Sequence, residues 1–353
     1  MMNWFSYPFL LFSLSWACVG LYRWYAVDKG MLDAPNARSS HIAPTPRGGG
    51  VVFFLGWVAV CAVLYFKHII SGYFLIYFSP AVVIGLLGFW DDHSNLSAGF
   101  RFFVQCLTAI AALFILNEGG YLIAPWFPSV PLPLCFLALA FAIVWMINLF
   151  NFMDGSDGIA TSEGLFVFGV GGFILFQIPN LYAYQMATLA WSLCALLAGF
   201  LTWNWPIARI FMGDSGSCFL GMMVALFALI SNKLFNVPFT IWIILTALFW
   251  FDATITLVRR ILAGEEWRKP HKMHAYQRLI QAGWSHQKVL LSTMAVNAVL
   301  SYMAFMAFKE PKLTPFLLGF ALTMLFCLYL IVEIIKPMFK KWHDGAKTVS
   351  EMM

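Results

Sequence analysis

Two adjacent carboxylates, Asp91 and Asp92, close a long apolar run and are followed by Asn95. Neighbouring like charges repel, and each loses hydration at an apolar boundary, so the pair is best accounted for by a cation or a metal-bound phosphate beside it. The plainer alternative is an acidic helix cap in water. A second group reads Asn148-x-x-Asn151-x-x-Asp154-Gly-Ser-Asp157-Gly158. Asp154 and Asp157 are three apart, and a helical turn would set them on one side. Their oxygens and those of Asn151 are the hard donors that Mg²⁺ prefers, with Mn²⁺ as a substitute. A conformational turn rich in Asn, Asp and Gly is the alternative. A third group, Phe211-Met-Gly-Asp214-Ser-Gly-Ser217, sets one carboxylate among small residues at the start of an apolar run. Asp214 is placed to hold a metal while hydroxyls and backbone N–H groups hold phosphate, and Phe211 to stack on a base. An Asp/Ser helix cap is compatible with the same residues.

Cationic groups accompany these carboxylates. Arg38, His41 and Arg47 precede Gly48–Gly50, where backbone N–H groups at a helix start can approach an anion. This segment reads as a diphosphate site or as a solvated turn with positive anchors. The segment from Asp252 to Arg278 is the most basic, with Arg259, Arg260, Arg268, Lys269, His271, Lys272 and His274. His271 and His274 would share a helix face. With no third soft ligand nearby they suit an anion better than a transition metal. Asp252, inside an apolar run, is expected to pair with Arg259 or Arg260 in a structural role. Carboxylates with Mg²⁺ and cationic clamps are what phosphoryl transfer requires, namely charge neutralisation and positioning.

The elements that must carry these groups are membrane helices. The chain has 353 residues, 61% hydrophobic and 10% charged, with a mean hydropathy of +0.80. A soluble domain carries about 25% charged residues. Eleven apolar windows are long enough to approach a span, near 4–27, 49–66, 72–90, 100–117, 132–149, 159–177, 183–203, 216–231, 238–258, 286–307 and 315–336. The first lacks a basic flank and reads as a retained span. The expected fold class is an all-α polytopic membrane protein, one domain over 1–353 with a short tail at 337–353. The seven cysteines lie almost entirely within apolar runs and show no metal spacing. The net charge of +5 is spread along loops and makes no case for nucleic acid.

Alternate loops divide the charges. All but Lys67, Lys233, Lys309 and Lys312 of the 21 basic residues fall on one side, as do all but Glu118 and Glu310 of the 16 acidic ones. Basic residues favour the cytoplasm, which places the N-terminus outside and the C-terminus inside. That rule does not ask for carboxylates on the same face, so the inner loops read as a working surface.

Taken together, the Asp91-Asp92-x-x-Asn95, Asn148-to-Gly158 and Phe211-to-Ser217 motifs resemble those of the polyprenyl-phosphate N-acetylhexosamine-1-phosphate transferases, across nearly the whole chain. The resemblance implies transfer of an amino sugar-1-phosphate from a UDP-sugar to a polyprenyl phosphate in the bacterial inner membrane. It implies Asp214 as the principal Mg²⁺ ligand, with Asn151 and Asp154 around metal and diphosphate. Asp91 and Asp92 would deprotonate or orient the lipid phosphate, Asp91 being the better base. Asp157 and Phe211 would take uracil, and His271 and His274 would contact phosphate. A departure is His271-Lys-Met-His274-Ala-Tyr276, sparser in histidine than in the peptidoglycan type. It is similar to members that prime O-antigen with 6-deoxy amino sugars. A homodimer is left open. The rival readings are a transporter or flippase, an intramembrane aspartyl protease using Asp214 and Asp252, and a CDP-alcohol phosphotransferase.

Overall fold

The computed structural model describes residues 6–33, 44–117, 131–266 and 271–339. Among these residues thirteen α-helices follow one another: α1 (Ser6–Asp28), α2 (Gly50–Phe66), α3 (Gly72–Ser94), α4 (Ala98–Leu116), α5 (Leu132–Met153), α6 (Ile159–Phe176), α7 (Leu181–Asn204), α8 (Asp214–Phe235), α9 (Phe239–Leu245), α10 (Ala247–Leu262), α11 (Ala275–Gln281), α12 (His286–Lys309) and α13 (Thr314–Ile335). Among the described residues the only strand pairing is a two-residue antiparallel ladder, Leu32–Asp33 with Thr45–Pro46. Side-chain caps start several helices where a hydroxyl or amide precedes the apolar run. Ser71 accepts from the Tyr73 N–H, Ser97 from Phe100, Asn180 from Tyr182, and Ser285 from Lys288.

Each of the eleven apolar windows is helical. Among the described residues, nine helical stretches are long and apolar enough to cross a membrane. Two windows differ from a simple span. The window at 238–258 is not one straight helix: α9 and α10 meet at a bend of 77°. Thr246 sits at the break and turns its hydroxyl back onto the Trp242 carbonyl at 2.8 Å. The window at 49–66 gives α2, which has 17 residues. At about 1.5 Å per residue that is about 25 Å, short of a full hydrocarbon core.

α8 is the central helix, enclosed by α2, α3 and α5. Lipid tails are as apolar as leucine, so close backbone approach and dispersion hold such helices together. Gly50 of α2 packs on the backbone of Gly216 of α8, and Gly88 of α3 lies on the Asp214–Ser215 peptide. A methyl group at either place would meet backbone rather than a movable side chain. Deeper along α8, Phe219 meets Phe53, Phe54 and Trp57, and Phe227 meets Phe78 and Phe168. The crossings that fix α2 and α3 on α8 are therefore also those that bring Asp92 to the start of α8.

Candidate active site

Asp214 opens α8, and its carboxylate is held at both oxygens. Oδ2 accepts from Arg101 Nη1 at 2.7 Å, and Oδ1 accepts from Asn151 Nδ2 at 2.9 Å. The same Arg101 nitrogen donates to Asp91 Oδ2 at 2.7 Å, so one guanidinium bridges two carboxylates from different helices. Asn151 Nδ2 also reaches Ser217 Oγ at 3.1 Å. Asp91 uses its other oxygen to accept the Leu96 N–H at 2.7 Å, which shapes the turn between α3 and α4.

Asp92 points the other way. Its two oxygens accept the Asp214 and Ser215 N–H groups at 2.9 and 3.1 Å. It thus caps α8 from a neighbouring helix, where the first N–H groups lack partners and the dipole favours negative charge. Gly213, at φ +76°, lies so close to the Asp92 carboxylate that a Cβ would collide with it.

The remaining connections close around this centre. Arg47 Nη2 donates to the Asp92 carbonyl at 2.8 Å and to Asn95 Oδ1 at 3.2 Å. Gly49 and Gly50 donate their N–H groups to the Phe211 and Met212 carbonyls, and Phe211 N–H donates to Pro46. Phe211 is thereby fixed through its backbone, with its ring half-buried. Tyr276, just inside α11, donates its hydroxyl to the Phe152 carbonyl at 3.2 Å. Five connecting segments, those preceding α2, α4, α6, α8 and α11, therefore meet at one end of the bundle.

Asp154 and Asp157 do not share a helical face. α5 ends at Met153, Asp154 follows as its C-cap, and the chain turns through Gly158 at φ +73° before α6. Asp157 is buried and accepts the Ala208 N–H at 3.0 Å, with His286 Nδ1 at 3.7 Å from its other oxygen. It anchors the 205–213 segment that carries Phe211. Asp154 has no side-chain hydrogen bond among the described residues. Burial, and then the negative charges of Asp214, Asp92 and Asp157, push its carboxyl well above the usual carboxylate range.

The histidines also differ from the sequence expectation. His271 precedes α11, and His274 is its N-cap, so they share no helix face. Their rings nonetheless lie 4.9 Å apart. Burial, with His274 and Arg260 nearby, pushes His271 down to about 4, so it is neutral at physiological pH. Asp252 pairs with neither expected arginine. It accepts the Ala275 N–H and the Thr256 hydroxyl and lies 3.7 Å from His274 Nδ1. Arg259 instead forms a two-pronged pair with Glu333, and Arg260 donates to the Glu266 carbonyl. Arg38 and His41 lie outside the described residues.

Two contributors went unnoticed in the sequence. Arg101 lies inside the 100–117 window, and an ionisable residue within an apolar run is the signal that would have found it. Asn204 ends α7 and joins three segments: its oxygen accepts Gly158 N–H and Thr161 Oγ1, and its nitrogen donates to Ile210 O. Nothing in its spacing sets it apart.

The donor set fits a hard divalent cation. Carboxylates of Asp91, Asp92, Asp154 and Asp214 outnumber the nearby cations Arg101 and Arg47, and Arg101 bridges where positive charge is demanded. Among the described residues no three Asp, Glu, His or Cys groups form a closed cage. Mg²⁺ needs none, because it binds through one or two carboxylates plus phosphates and water.

A model of glycosyl transferase family 4 matches residues 74–232, the stretch that carries Asp91, Asn151 and Asp214. The chain is 30% identical to the decaprenyl-phosphate N-acetylglucosaminephosphotransferase of Mycolicibacterium smegmatis, over 95% of this chain and 88% of that protein. It is 30% identical to a probable undecaprenyl-phosphate N-acetylglucosaminyl 1-phosphate transferase of Bacillus subtilis, covering 79% and 78% of the two chains. It is 28% identical to the undecaprenyl-phosphate alpha-N-acetylglucosaminyl 1-phosphate transferase of Yersinia pestis, covering 81% and 79%.

Proposed function

This chain belongs to glycosyl transferase family 4, and on that basis we propose that it transfers an N-acetylated amino sugar-1-phosphate from a UDP-sugar to a polyprenyl phosphate, releasing UMP. An oxygen of the lipid phosphate forms a bond to the β-phosphorus. The bond from that phosphorus to the bridging oxygen breaks, and UMP leaves with the bridging oxygen. The observation that supports this reading is the meeting of Asp91, Arg101, Asn151 and Asp214 at the end of the bundle where five connecting segments converge. A lipid phosphate can reach that end from a groove between helices while a nucleotide arrives from water. We place this end at the cytoplasmic face of a bacterial inner membrane, from the distribution of Lys and Arg.

Two anions must approach each other, and the residues divide that task. Asp214 would hold Mg²⁺, with the Asn151 side-chain oxygen and Asp154 beside it. The ion supplies Lewis-acid neutralisation of the diphosphate. Arg101, which bridges Asp91 and Asp214, would offer its positive charge to the phosphate oxygens. Asp91, facing the same space, takes the proton of the lipid phosphate or orients it. Asp92 keeps α8 in place and so fixes where Asp214 stands. Asp157 holds the 205–213 segment, through which Phe211 is offered to the uracil. Its burial and its bond to Ala208 favour that indirect part over a direct contact with the base.

The relatives are named for N-acetylglucosamine, whereas the 271–276 segment resembles transferases for 6-deoxy amino sugars. A panel of UDP-N-acetyl sugars, assayed with undecaprenyl phosphate and Mg²⁺, separates the two by which sugar enters the lipid phase. UMP release is expected in that assay, and Asp214→Ala should lower it by at least about 10²-fold, as loss of a principal charge-stabilising group does. Full activity in Asp214→Ala, or accumulation of an unchanged solute in vesicles without UMP, would refute the proposal.

A further inference from the structure

Asp154 is the C-cap of α5. Among the described residues its side chain makes no hydrogen bond, so the backbone turn that carries it decides where its carboxylate stands. The charges of Asp214, Asp92 and Asp157 all press on that carboxylate. Like charges in a site shielded from water move apart if the chain lets them. The turn therefore has to be held from outside.

One side chain grips it on both sides of Asp154. Tyr276 is 4% exposed, and its hydroxyl donates to the Phe152 carbonyl at 3.2 Å. That carbonyl lies in the last turn of α5, where carbonyls lack an intrahelical N–H partner. The same hydroxyl rests on Gly155, where a Cβ would collide with the Tyr276 oxygen. One oxygen thus touches the residue after Asp154 and bonds the residue two places before it. Tyr276 is itself braced. Both oxygens of Asp252 are 2.9 Å from the Ala275 N–H, which pins the start of α11 to α10. The Tyr276 ring lies parallel to that of His274, 8° between planes and 5.9 Å between centroids. The Gln277 side-chain oxygen accepts the His274 N–H at 3.3 Å. We propose that Tyr276 is a positioning residue for the transfer reaction: its hydroxyl clasps the backbone on both sides of Asp154 and keeps that carboxylate beside Asp214 against their mutual repulsion. This rests on the transferase reading of the site.

The test uses the full-length enzyme with UDP-N-acetylglucosamine, undecaprenyl phosphate and Mg²⁺. Tyr276→Phe keeps the ring and removes the hydroxyl. Its kcat should fall about 10–100-fold, as loss of an outer orienting partner does, with KM for the UDP-sugar little changed. Gly155→Ala should fall further, because the added methyl drives the hydroxyl off the turn. In Gly155→Ala/Tyr276→Phe that collision is gone, and the next atoms, the ring Cζ and Gln277 Nε2, are both 3.3 Å from the new Cβ. The pair should recover from the Gly155→Ala level to that of Tyr276→Phe, a rescue that two independent losses would not show. Adding Tyr276→Phe to Asp154→Asn should cost less than it does alone, since the charge to be held is gone. Amide hydrogen exchange should speed up at 153–158 in Tyr276→Phe and in Gly155→Ala, and stay unchanged at 214–217. Four results each overturn the proposal: an undiminished kcat in Tyr276→Phe, a Gly155→Ala/Tyr276→Phe variant no better than Gly155→Ala, losses that multiply in Asp154→Asn/Tyr276→Phe, or unchanged exchange at 153–158. Should Tyr276→Phe not fold, Gly155→Ala decides by its kcat and its exchange at the turn. Wild-type UMP release tests the transferase reading separately, since the exchange result does not depend on turnover.

Discussion

Asp91, Asp92, Asp154 and Asp214 share one residue type but stand in three different settings, because their partners differ. Asp92 faces backbone N–H groups and holds a helix; Asp91 and Asp214 face Arg101; Asp154 is crowded by the charges of Asp214, Asp92 and Asp157. Crowded negative charge is useful to a metal and costly to the fold. A carboxyl whose folded pKa is raised is at its best when protonated, and its stabilising share is lost as pH rises through that pKa. At neutral pH Asp154→Asn should therefore stabilise the protein by about 0.5–2 kcal/mol while reducing turnover, the usual trade at a functional site. Thermal melts in EDTA alongside UMP release check both halves; a less stable variant contradicts the charge-crowding argument. His271 gives the opposite sign. Its ordinary pKa of 6.5 falls to about 4 in the fold, so the unfolded chain takes up the proton first as pH drops. Stability should decline between those two values, with Asp252, His274 and Arg260 as the charged or titratable neighbours. His271→Gln should flatten that part of the melting-temperature profile, and an unchanged slope would remove His271 as its source.

Among the elements, α6 and α12 are joined by a polar contact within the apolar bundle. Glu163 is fully buried and accepts from Asn297 Nδ2 at 2.6 Å. The other oxygen of each, Glu163 Oε1 and Asn297 Oδ1, is buried with no donor. One proton on Glu163 satisfies both, closing a two-bond ring between carboxyl and carboxamide. Glu163→Gln can make the same ring and should leave the melting midpoint within experimental error. Asn297→Leu strips the buried carboxyl of its partner and should cost about 1–3 kcal/mol, seen as a lower midpoint. A tolerated Asn297→Leu with a damaging Glu163→Gln would mean that the carboxylate is ionised and held some other way. The bend at Thr246 is also decided at this scale, since neither Gly nor Pro marks it.

For the whole molecule, five connecting segments can meet at one end only if the helices between them run out and back. This holds for the short α2 paired with α3 as much as for the longer pairs, and it makes the orientation testable. In a background without the seven native cysteines, Lys67→Cys should react with an impermeant maleimide in intact cells. Arg209→Cys should react only after permeabilisation, and the reverse pattern would invert the proposed topology. Composition and apolar windows were enough to determine that the chain is a helical membrane protein, because burying backbone in lipid leaves few alternatives. The motifs that carry Asp91-Asp92, Asn151-Asp154 and Asp214 were enough to name residues that the fold then gathers at one end of the bundle. Which carboxylate caps a helix, which faces Arg101 and which partner Asp252 takes were decided only by tertiary packing. Those roles follow from contacts between residues far apart in the chain, such as Asp92 with Asp214 and Asp252 with His274, and no local pattern encodes the distance between them.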